Sequence, residues 1–142
     1  MYSIDEKLAM VRKAMAEEDI QAFVVPTTDE HLGEYVPEHN QRLRWISGFS
    51  GSAGMVIILA DRASIFVDGR YTIQVKQQVS AELYEVHHLI QESPSDWLVS
   101  QLNDGRIGID SRLHSYKWHQ KISASCKAAG LDLKEILHNP ID

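Results

Sequence analysis

The serine and glycine residues between positions 48 and 54 are the first candidates for chemistry. In the segment Gly48 to Ser52 a serine stands between glycines, as it does in a nucleophile elbow. That motif needs a glycine two residues after the serine and a helix behind it, whereas here Ser52 stands there and an apolar, strand-like run follows. The spacing of Gly48, Gly51 and Gly54 matches neither the dinucleotide-binding nor the phosphate-loop pattern. We interpret the segment as a tight loop entering a strand, with an anion-binding turn as the alternative.

The 7 histidines prompt a search for a metal site. His87 and His88 are neighbours in a predicted strand, so their side chains point to opposite faces. The best candidate cluster lies in a polar stretch and comprises Asp29, His31, Glu34, Glu38 and His39. It has no zinc-like spacing, and a metal needs three or four converging ligands. We therefore expect a solvated loop there.

The segment Asp68-Gly69-Arg70-Tyr71 follows an apolar run and precedes a helical pattern. Asp68 can cap that helix and Gly69 can make the turn, which is a sufficient structural explanation. The functional alternative is that Arg70 is held rigidly at a strand end, where a sheet of this kind meets its ligand or partner.

The elements that must position these segments follow from caps and periodicity. Ser3 and Glu6 form a capping box, and an apolar stripe at helical spacing continues to about Glu18. The pair Asp61-Arg62 lies between two β-branched runs and predicts a hairpin. Strands are predicted at 22–25, 55–59, 64–67, 83–88, 106–109 and 131–137, and further helices at 73–79, from 94 onward and at 116–129. The alternation predicts a three-layer α/β/α fold with a mixed, mostly parallel sheet.

Composition limits the classes of function. The chain has 142 residues with Lys+Arg 14 and Asp+Glu 20, a formal net charge of -6, which predicts one acidic domain that does not bind nucleic acid. The single cysteine, Cys126, is expected to be a buried packing thiol, and no disulfide can form within the chain. No apolar run is long enough for a membrane span, and the first residues do not resemble a signal peptide. We expect a cytoplasmic protein.

Two motifs taken together resemble one family. The stretch from Arg44 to Gly54 reads RWISGFSGSAG, and after the predicted hairpin comes DGRY at Asp68 to Tyr71. This combination is similar to the N-terminal domain of Xaa-Pro aminopeptidases (aminopeptidase P), in the creatinase/prolidase group. The similarity extends from about Leu8 to Asp142.

The resemblance implies a two-part enzyme. Residues 1–138 would form the creatinase/prolidase-type N-terminal domain, whose sheet is similar to a ribonuclease H fold without that activity, and residues 139–142 would begin a linker. In the family a following pita-bread domain binds two divalent ions, usually manganese, and removes the N-terminal residue that precedes proline. The resemblance assigns no catalytic residue, metal ligand or cofactor to this chain, so we expect it to be inactive alone.

The resemblance also implies partners. Relatives are homodimers or homotetramers in which the N-terminal domain packs over a neighbouring catalytic cleft, so this chain would contact its own catalytic domain, a neighbouring subunit and proline-containing peptides. The residues expected to contact substrate or subunit are Phe49, Ser50, Gly51, Ser52, Arg44 and Arg70. Either arginine could equally pair within its own domain, and Trp45 could be an interface anchor or a core residue.

Three alternatives remain open at this point. The same domain occurs in prolidases and creatinases, which differ in substrate. A second alternative is a binding module that keeps the fold without peptidase chemistry, as in a histone-chaperone subunit. A third is an unrelated small enzyme that uses the acidic loop around His31.

Overall fold

The computed structural model describes residues 3–26, 42–49, 54–67, 72–89, 93–102, 105–110, 116–136 and 141. The helices are α1 (Ile4–Glu17), α2 (Arg42–Ser47), α3 (Thr72–Gln78), α4 (Pro94–Gln101) and α5 (Tyr116–Ala129). The strands are β1 (Ala22–Pro26), β2 (Gly54–Leu59), β3 (Ala63–Val67), β4 (Glu85–His88), β5 (Arg106–Ile109) and β6 (Asp132–Glu135).

The six strands form one mixed sheet in the order β4-β3-β2-β1-β5-β6. Strand β2 is antiparallel to both β1 and β3, while the other neighbouring pairs are parallel. All strands except β2 therefore run in one direction, and the predicted mixed, mostly parallel sheet is confirmed. The predicted hairpin is also present, since the Leu59 amide donates to the Arg62 carbonyl at 2.8 Å across the β2–β3 turn.

Helices cover both faces of the sheet, which confirms the three-layer prediction. Strand residues alternate between the faces, so that Val56 and Ile58 join one buried cluster and Ile57 and Leu59 join the other. Helices α1, α2 and α3 pack on the first cluster, and α4 and α5 pack on the second.

Helix α1 forms where the capping box and the apolar stripe predict it. The Glu6 amide donates to Ser3 Oγ at 3.2 Å, and the Ser3 amide donates to Glu6 Oε1 at the same distance. Leu8, Val11 and Met15 are buried on one side of the helix. The helix ends before Asp19, whose φ of 56° lies in the left-handed region, so the chain turns there into β1.

Besides shifts of one or two residues at other element ends, the structure differs from the sequence-based boundaries in three places. Helix α2 was not predicted. Strand β4 begins at Glu85 rather than at position 83, because the amides of Leu83 and Tyr84 turn back to the Ser80 carbonyl. Strand β6 begins at Asp132 rather than at position 131, because the Leu131 amide donates to the Cys126 carbonyl and closes α5.

In the part of the chain that the structure describes, no helix has the length and apolar character needed to cross a membrane.

Candidate functional site

One edge of the sheet collects most of the segments that the sequence singled out. Five parallel strands end at this edge and the antiparallel strand begins there, and we call it the carboxyl edge. Its strand termini are Pro26, Gly54, Val67, His88, Ile109 and Glu135. In open α/β sheets, ligands and partners meet the molecule at this kind of edge, so the carboxyl edge is the candidate functional site.

The register of the hairpin brings the two motifs to the same point of that edge. Gly54 lies opposite Val67 in the antiparallel pair, where facing Cα atoms are about 5 Å apart. The first motif enters the sheet at Gly54, and the second motif starts immediately after Val67. The two segments therefore join the sheet side by side.

The first motif is built on the end of helix α2. Gly48 has a φ of 84°, and its amide donates to the Arg44 carbonyl at 2.8 Å, which closes the helix. A Cβ at this glycine would lie 3.0 Å from the Gln78 carbonyl oxygen at the end of α3. Both the backbone conformation and the close approach of α3 therefore favour glycine here.

The Ser47 side chain links helix α2 to Phe49, which follows the helix. Its hydroxyl is buried, donates to the Leu43 carbonyl at 2.7 Å and accepts from the Phe49 amide at 3.1 Å. The hydroxyl thus satisfies a backbone donor where the helical hydrogen bonds stop.

Phe49 is a core residue of this chain, with a side chain that is 1% exposed. Its ring packs beside the backbone of Gly54, because a Cβ at Gly54 would lie 3.3 Å from Phe49 Cε2 and 3.2 Å from the Phe66 carbonyl oxygen. Phe49 and Gly54, which flank residues 50–53 in the first motif, are therefore in contact with each other.

Arg44 and Trp45 occupy different environments on α2. The Arg44 side chain is exposed, and it forms no ion pair or hydrogen bond with a side chain or backbone group that the structure describes. Trp45 is partly buried against the core, and Lys7 Nζ lies 4.8 Å from its ring centroid and donates to its carbonyl at 3.0 Å. Trp45 therefore takes part in the packing of α1 on α2.

Helix α3 adds a residue that the sequence analysis missed. Ile73, two positions after the second motif, is 74% exposed. The sequence analysis assigned a helix here without assigning its faces, and the structure shows that Val75 and Val79 are the buried residues of this segment. An exposed isoleucine at the first turn of a helix that starts from the carboxyl edge is a candidate contact residue.

Two buried charged residues were also not predicted. Arg42 begins α2 and is 7% exposed, and Asp110 follows β5 and is 2% exposed. Both have partners within the chain, as buried charges require. No motif in the sequence singles out either position.

Tyr84 ties α2 to the turn before β4. Its hydroxyl donates to the Ile46 carbonyl at 2.6 Å in a buried position. Burial raises the pKa of Tyr84 well above its ordinary value, and the nearby Arg12 only partly offsets this.

The histidine and cysteine interpretations have separate outcomes. His87 is buried, stacks on Phe66 with ring centroids 4.7 Å apart, and lies 3.2 Å from Ser64 Oγ through Nε2. Cys126 is a packing thiol beside Ile122, as predicted, and burial raises its pKa. Across the described ranges, no three His, Cys, Asp or Glu side chains are grouped as a metal ion would require. The loop with Asp29 and His31 lies outside these ranges.

The six predicted contact residues divide into two groups. Phe49 and Arg44 are described, the first in the core and the second on the surface. Ser50, Gly51, Ser52 and Arg70 lie outside the described residues, and so do Asp68 and Gly69 of the predicted cap.

Comparison with known proteins gives a consistent result. Residues 7–138 match the family described as the Creatinase/Prolidase N-terminal domain. Xaa-Pro aminopeptidase 1 of Dictyostelium discoideum is 34% identical over 135 residues, an alignment that covers 93% of this chain and 22% of that protein. The chain thus spans about a fifth of the length of the curated relatives that it matches.

Solved structures share the fold. X-prolyl aminopeptidase from Caenorhabditis elegans, described as a cytosolic enzyme with a di-nuclear active site, superposes with a TM-score of 0.88 and 31% identity, covering 99% of this chain and 25% of that one. The N-terminal domain of cytoplasmic peptidase PepQ from Mycobacterium tuberculosis superposes with a TM-score of 0.70, and 95% of each chain is covered. At 20% identity the second similarity shows the fold alone, in a domain that was solved by itself.

Proposed function

We propose a function for this chain, which belongs to the Creatinase/Prolidase N-terminal domain family. It is the non-catalytic N-terminal domain of a metal-dependent Xaa-Pro aminopeptidase. The longer protein would remove the N-terminal residue that precedes proline. In this proposal residues 1–138 form the domain, and a linker to the rest of the protein begins at residues 139–142. The role of the domain is to assemble and shape a site whose chemistry is carried out elsewhere.

The observation that carries the proposal is the meeting of the two family motifs at the carboxyl edge, where Gly54 pairs with Val67. Their described residues have structural tasks: Gly48 ends α2, Ser47 bridges it to Phe49, and Phe49 fills the core. Such anchoring fixes the positions of Phe49 and Gly54, between which residues 50–53 lie in the sequence. We propose that Phe49 acts by positioning this segment and that Ser50, Gly51 and Ser52 contact substrate or the neighbouring subunit.

The arginines supply the proposed charged contacts. The Arg44 side chain is exposed and forms no ion pair with a described residue of its own domain, and we propose that its guanidinium binds a carboxylate of the partner or substrate. Arg70 comes shortly after Val67 in the sequence, where β3 ends, and we propose the same role for it.

The metal chemistry is assigned to another part of the longer protein. The described His, Cys, Asp and Glu side chains do not fit a two-metal centre, and a di-nuclear active site is described for the relative from Caenorhabditis elegans. We propose that two divalent ions, usually manganese in the family, are bound outside this chain. A cytoplasmic location and a homodimeric or homotetrameric assembly belong to the same proposal.

The test is to change Arg70 in the longer protein that contains this chain. Arg70→Ala is expected to raise KM for an Xaa-Pro peptide at least about tenfold, the loss expected for one charge-assisted pair, or to weaken subunit assembly, with little change in Tm. Arg62→Ala is the matched control, because Arg62 lies in the β2–β3 turn at the opposite edge of the sheet.

Two results would contradict the proposal. The first is an Arg70→Ala protein with unchanged KM and unchanged mass by light scattering. The second is a wild-type longer protein that does not hydrolyse Xaa-Pro peptides with any divalent metal.

A further inference from the structure

We propose that Lys7 and Tyr84 are positioning residues for substrate binding, because both hold the end of helix α2 that leads into residues 50–52. We call residues 50–52 the contact segment. The inference rests on the proposed function, which assigns substrate contacts to this segment. It adds two residues that belong to neither motif and that lie on elements distant along the chain.

The end of α2 is held at four consecutive backbone carbonyls, each of which accepts a hydrogen bond from a different group. The donors to the carbonyls of Leu43, Arg44, Trp45 and Ile46 are, in this order, Ser47 Oγ at 2.7 Å, the Gly48 amide at 2.8 Å, Lys7 Nζ at 3.0 Å and the Tyr84 hydroxyl at 2.6 Å. The last carbonyls of a helix have no helical donor. Two of these four donors come from the helix end itself, and two come from other elements.

Lys7 supplies the donor to the Trp45 carbonyl. In a continuing helix this carbonyl would accept from the Phe49 amide, but here that amide donates to Ser47 Oγ at 3.1 Å. Lys7 lies on α1, 38 residues before Trp45, and its Nζ is also 4.8 Å from the centroid of the Trp45 ring. A cation at the C-terminal end of a helix is favoured by the helix dipole. Lys7 therefore fixes α1 against the last turn of α2.

Tyr84 supplies the donor to the Ile46 carbonyl from the turn before β4. The turn is closed by the Tyr84 amide, which donates to the Ser80 carbonyl at 3.0 Å. Tyr84 is 2% exposed, and Ile46 is fully buried. Because the contact is buried, water does not replace the hydroxyl when it is removed, and the Ile46 carbonyl then loses this donor without compensation.

The held end of α2 leads directly to the contact segment. Phe49, which is 1% exposed, precedes the segment in the sequence, and Gly54 follows it as the first residue of β2. The backbone before the segment is thus fixed by α2, and the backbone after it is fixed by the sheet. Lys7 and Tyr84 act on the first of these alone. Their loss is therefore expected to loosen the start of the segment while the sheet stays intact, which adds an ordering cost to substrate binding.

The test is the steady-state kinetics of the longer protein that contains this chain, with manganese and an Xaa-Pro peptide. Tyr84→Phe is expected to raise KM at least about fivefold, and Lys7→Met about threefold because its contact is only partly buried. In both variants kcat is expected to stay within about twofold of wild type, since binding is affected and chemistry is not. Lys7→Arg keeps a cationic donor that can lie over the indole ring, so it is expected to restore KM to within about twofold of wild type.

Two matched controls separate positioning from general stability. Ser64→Ala removes a buried hydroxyl that lies 3.2 Å from His87 Nε2, on the side of the sheet that faces the second cluster. Lys134→Met removes an ammonium that donates to the Glu18 carbonyl at 2.8 Å, at the end of α1. Each control loses the same kind of group as a test variant but leaves the contacts of α2 in place. Both are expected to keep the wild-type KM.

Amide hydrogen exchange gives a readout that does not depend on turnover. In the same preparations, the amides of Gly48 and Phe49 are expected to exchange at least about tenfold faster in Tyr84→Phe than in wild type, the change expected for the loss of one buried hydrogen bond. Both controls are expected to exchange at the wild-type rate. A wild-type protein that does not hydrolyse the peptide would refute the proposed function, and the exchange rates would still decide whether Tyr84 holds the end of α2.

Three results would overturn the inference. The first is a KM within about twofold of wild type in Tyr84→Phe or Lys7→Met. The second is an equal rise in KM in a control variant, which would assign the effect to lost stability. The third is unchanged exchange of the Gly48 and Phe49 amides in Tyr84→Phe.

Discussion

The end of helix α2 is fixed in three different ways, at Ser47, Gly48 and Phe49. The serine hydroxyl bridges two backbone groups, the glycine adopts a φ of 84°, and the phenylalanine ring lies in the core. In this part of the first motif, the residues therefore fix the backbone at the end of the helix.

Removing the Ser47 hydroxyl tests this anchoring. Ser47→Ala leaves the buried Phe49 amide without its acceptor, which costs about 1–3 kcal/mol of unfolding free energy. Ser100→Ala is the control, because Ser100 Oγ donates to the Trp97 carbonyl at an exposed position and its loss should cost less than about 0.5 kcal/mol. Equal costs in urea unfolding would show that the Ser47 bridge is not a specific anchor.

Gly108 is required for a steric reason alone, because no side chain fits at this position. A Cβ at Gly108 would overlap Ile20 Cδ1 and lie 3.1 Å from Ile136 Cγ1, and Gly108 does not have a positive φ. Gly108→Ala is expected to destabilise the chain by about 1–3 kcal/mol through overpacking. Ile20→Val removes the overlapping atom, so the same change in that background should cost at least about 1 kcal/mol less. If Gly108→Ala costs the same in both backgrounds, the overlap with Ile20 is not the cause of the destabilisation.

At the scale of elements, helix α2 depends on contacts from distant parts of the chain. The Tyr84 hydroxyl donates a hydrogen bond to the Ile46 carbonyl, and the Gln78 carbonyl at the end of α3 lies close to Gly48. This explains why a six-residue helix is stable although isolated helices of that length are not. It also explains why the sequence did not predict α2, since a helix this short has little periodicity and its stabilising contacts lie about thirty to forty residues further along the chain.

The pH dependence of stability tests the Tyr84 contact. Burial raises the pKa of Tyr84 in the folded chain, so above about pH 10, the ordinary pKa of tyrosine, the unfolded chain releases a proton that the folded chain retains. The stability associated with Tyr84 is therefore present below pH 10 and is lost as the pH rises.

Tyr84→Phe is expected to cost about 1–2 kcal/mol at pH 7, because the Ile46 carbonyl loses its donor. The difference from wild type should shrink between pH 10 and 11, since the variant has no hydroxyl to ionise. A constant difference over this range in urea unfolding would mean that the Tyr84 hydroxyl is not buried as described.

The longer elements were predictable because local and tertiary preferences agree in them. The capping box of α1 and the Asp61-Arg62 turn each gave the correct element. The boundaries of β4 and β6 were less accurate because turns at Ser80 and Cys126 compete with strand pairing for the same amides. Of the candidate site, the motif segments could be found from sequence, whereas the exposure of Ile73 and the burial of Phe49 depend on packing.

At the scale of the whole molecule, the proposed function assigns this chain the role of a folded support. The sheet, both helical layers and the carboxyl edge are present within this chain. The family assignment rests on residues 7–138, and the chain covers 22% of the length of a curated relative. Our central proposal is that this domain shapes a peptidase site without supplying its metal ligands.

The most direct measurement is peptidase activity of the purified 142-residue chain toward an Xaa-Pro peptide, with manganese added or removed by a chelator, alongside its Tm under the same conditions. The account predicts no release of the N-terminal residue and no increase in Tm with the metal, because a domain that bound the ion in its folded state would be stabilised by it. Metal-dependent turnover by the chain alone, lost on chelation and restored by manganese, would contradict it.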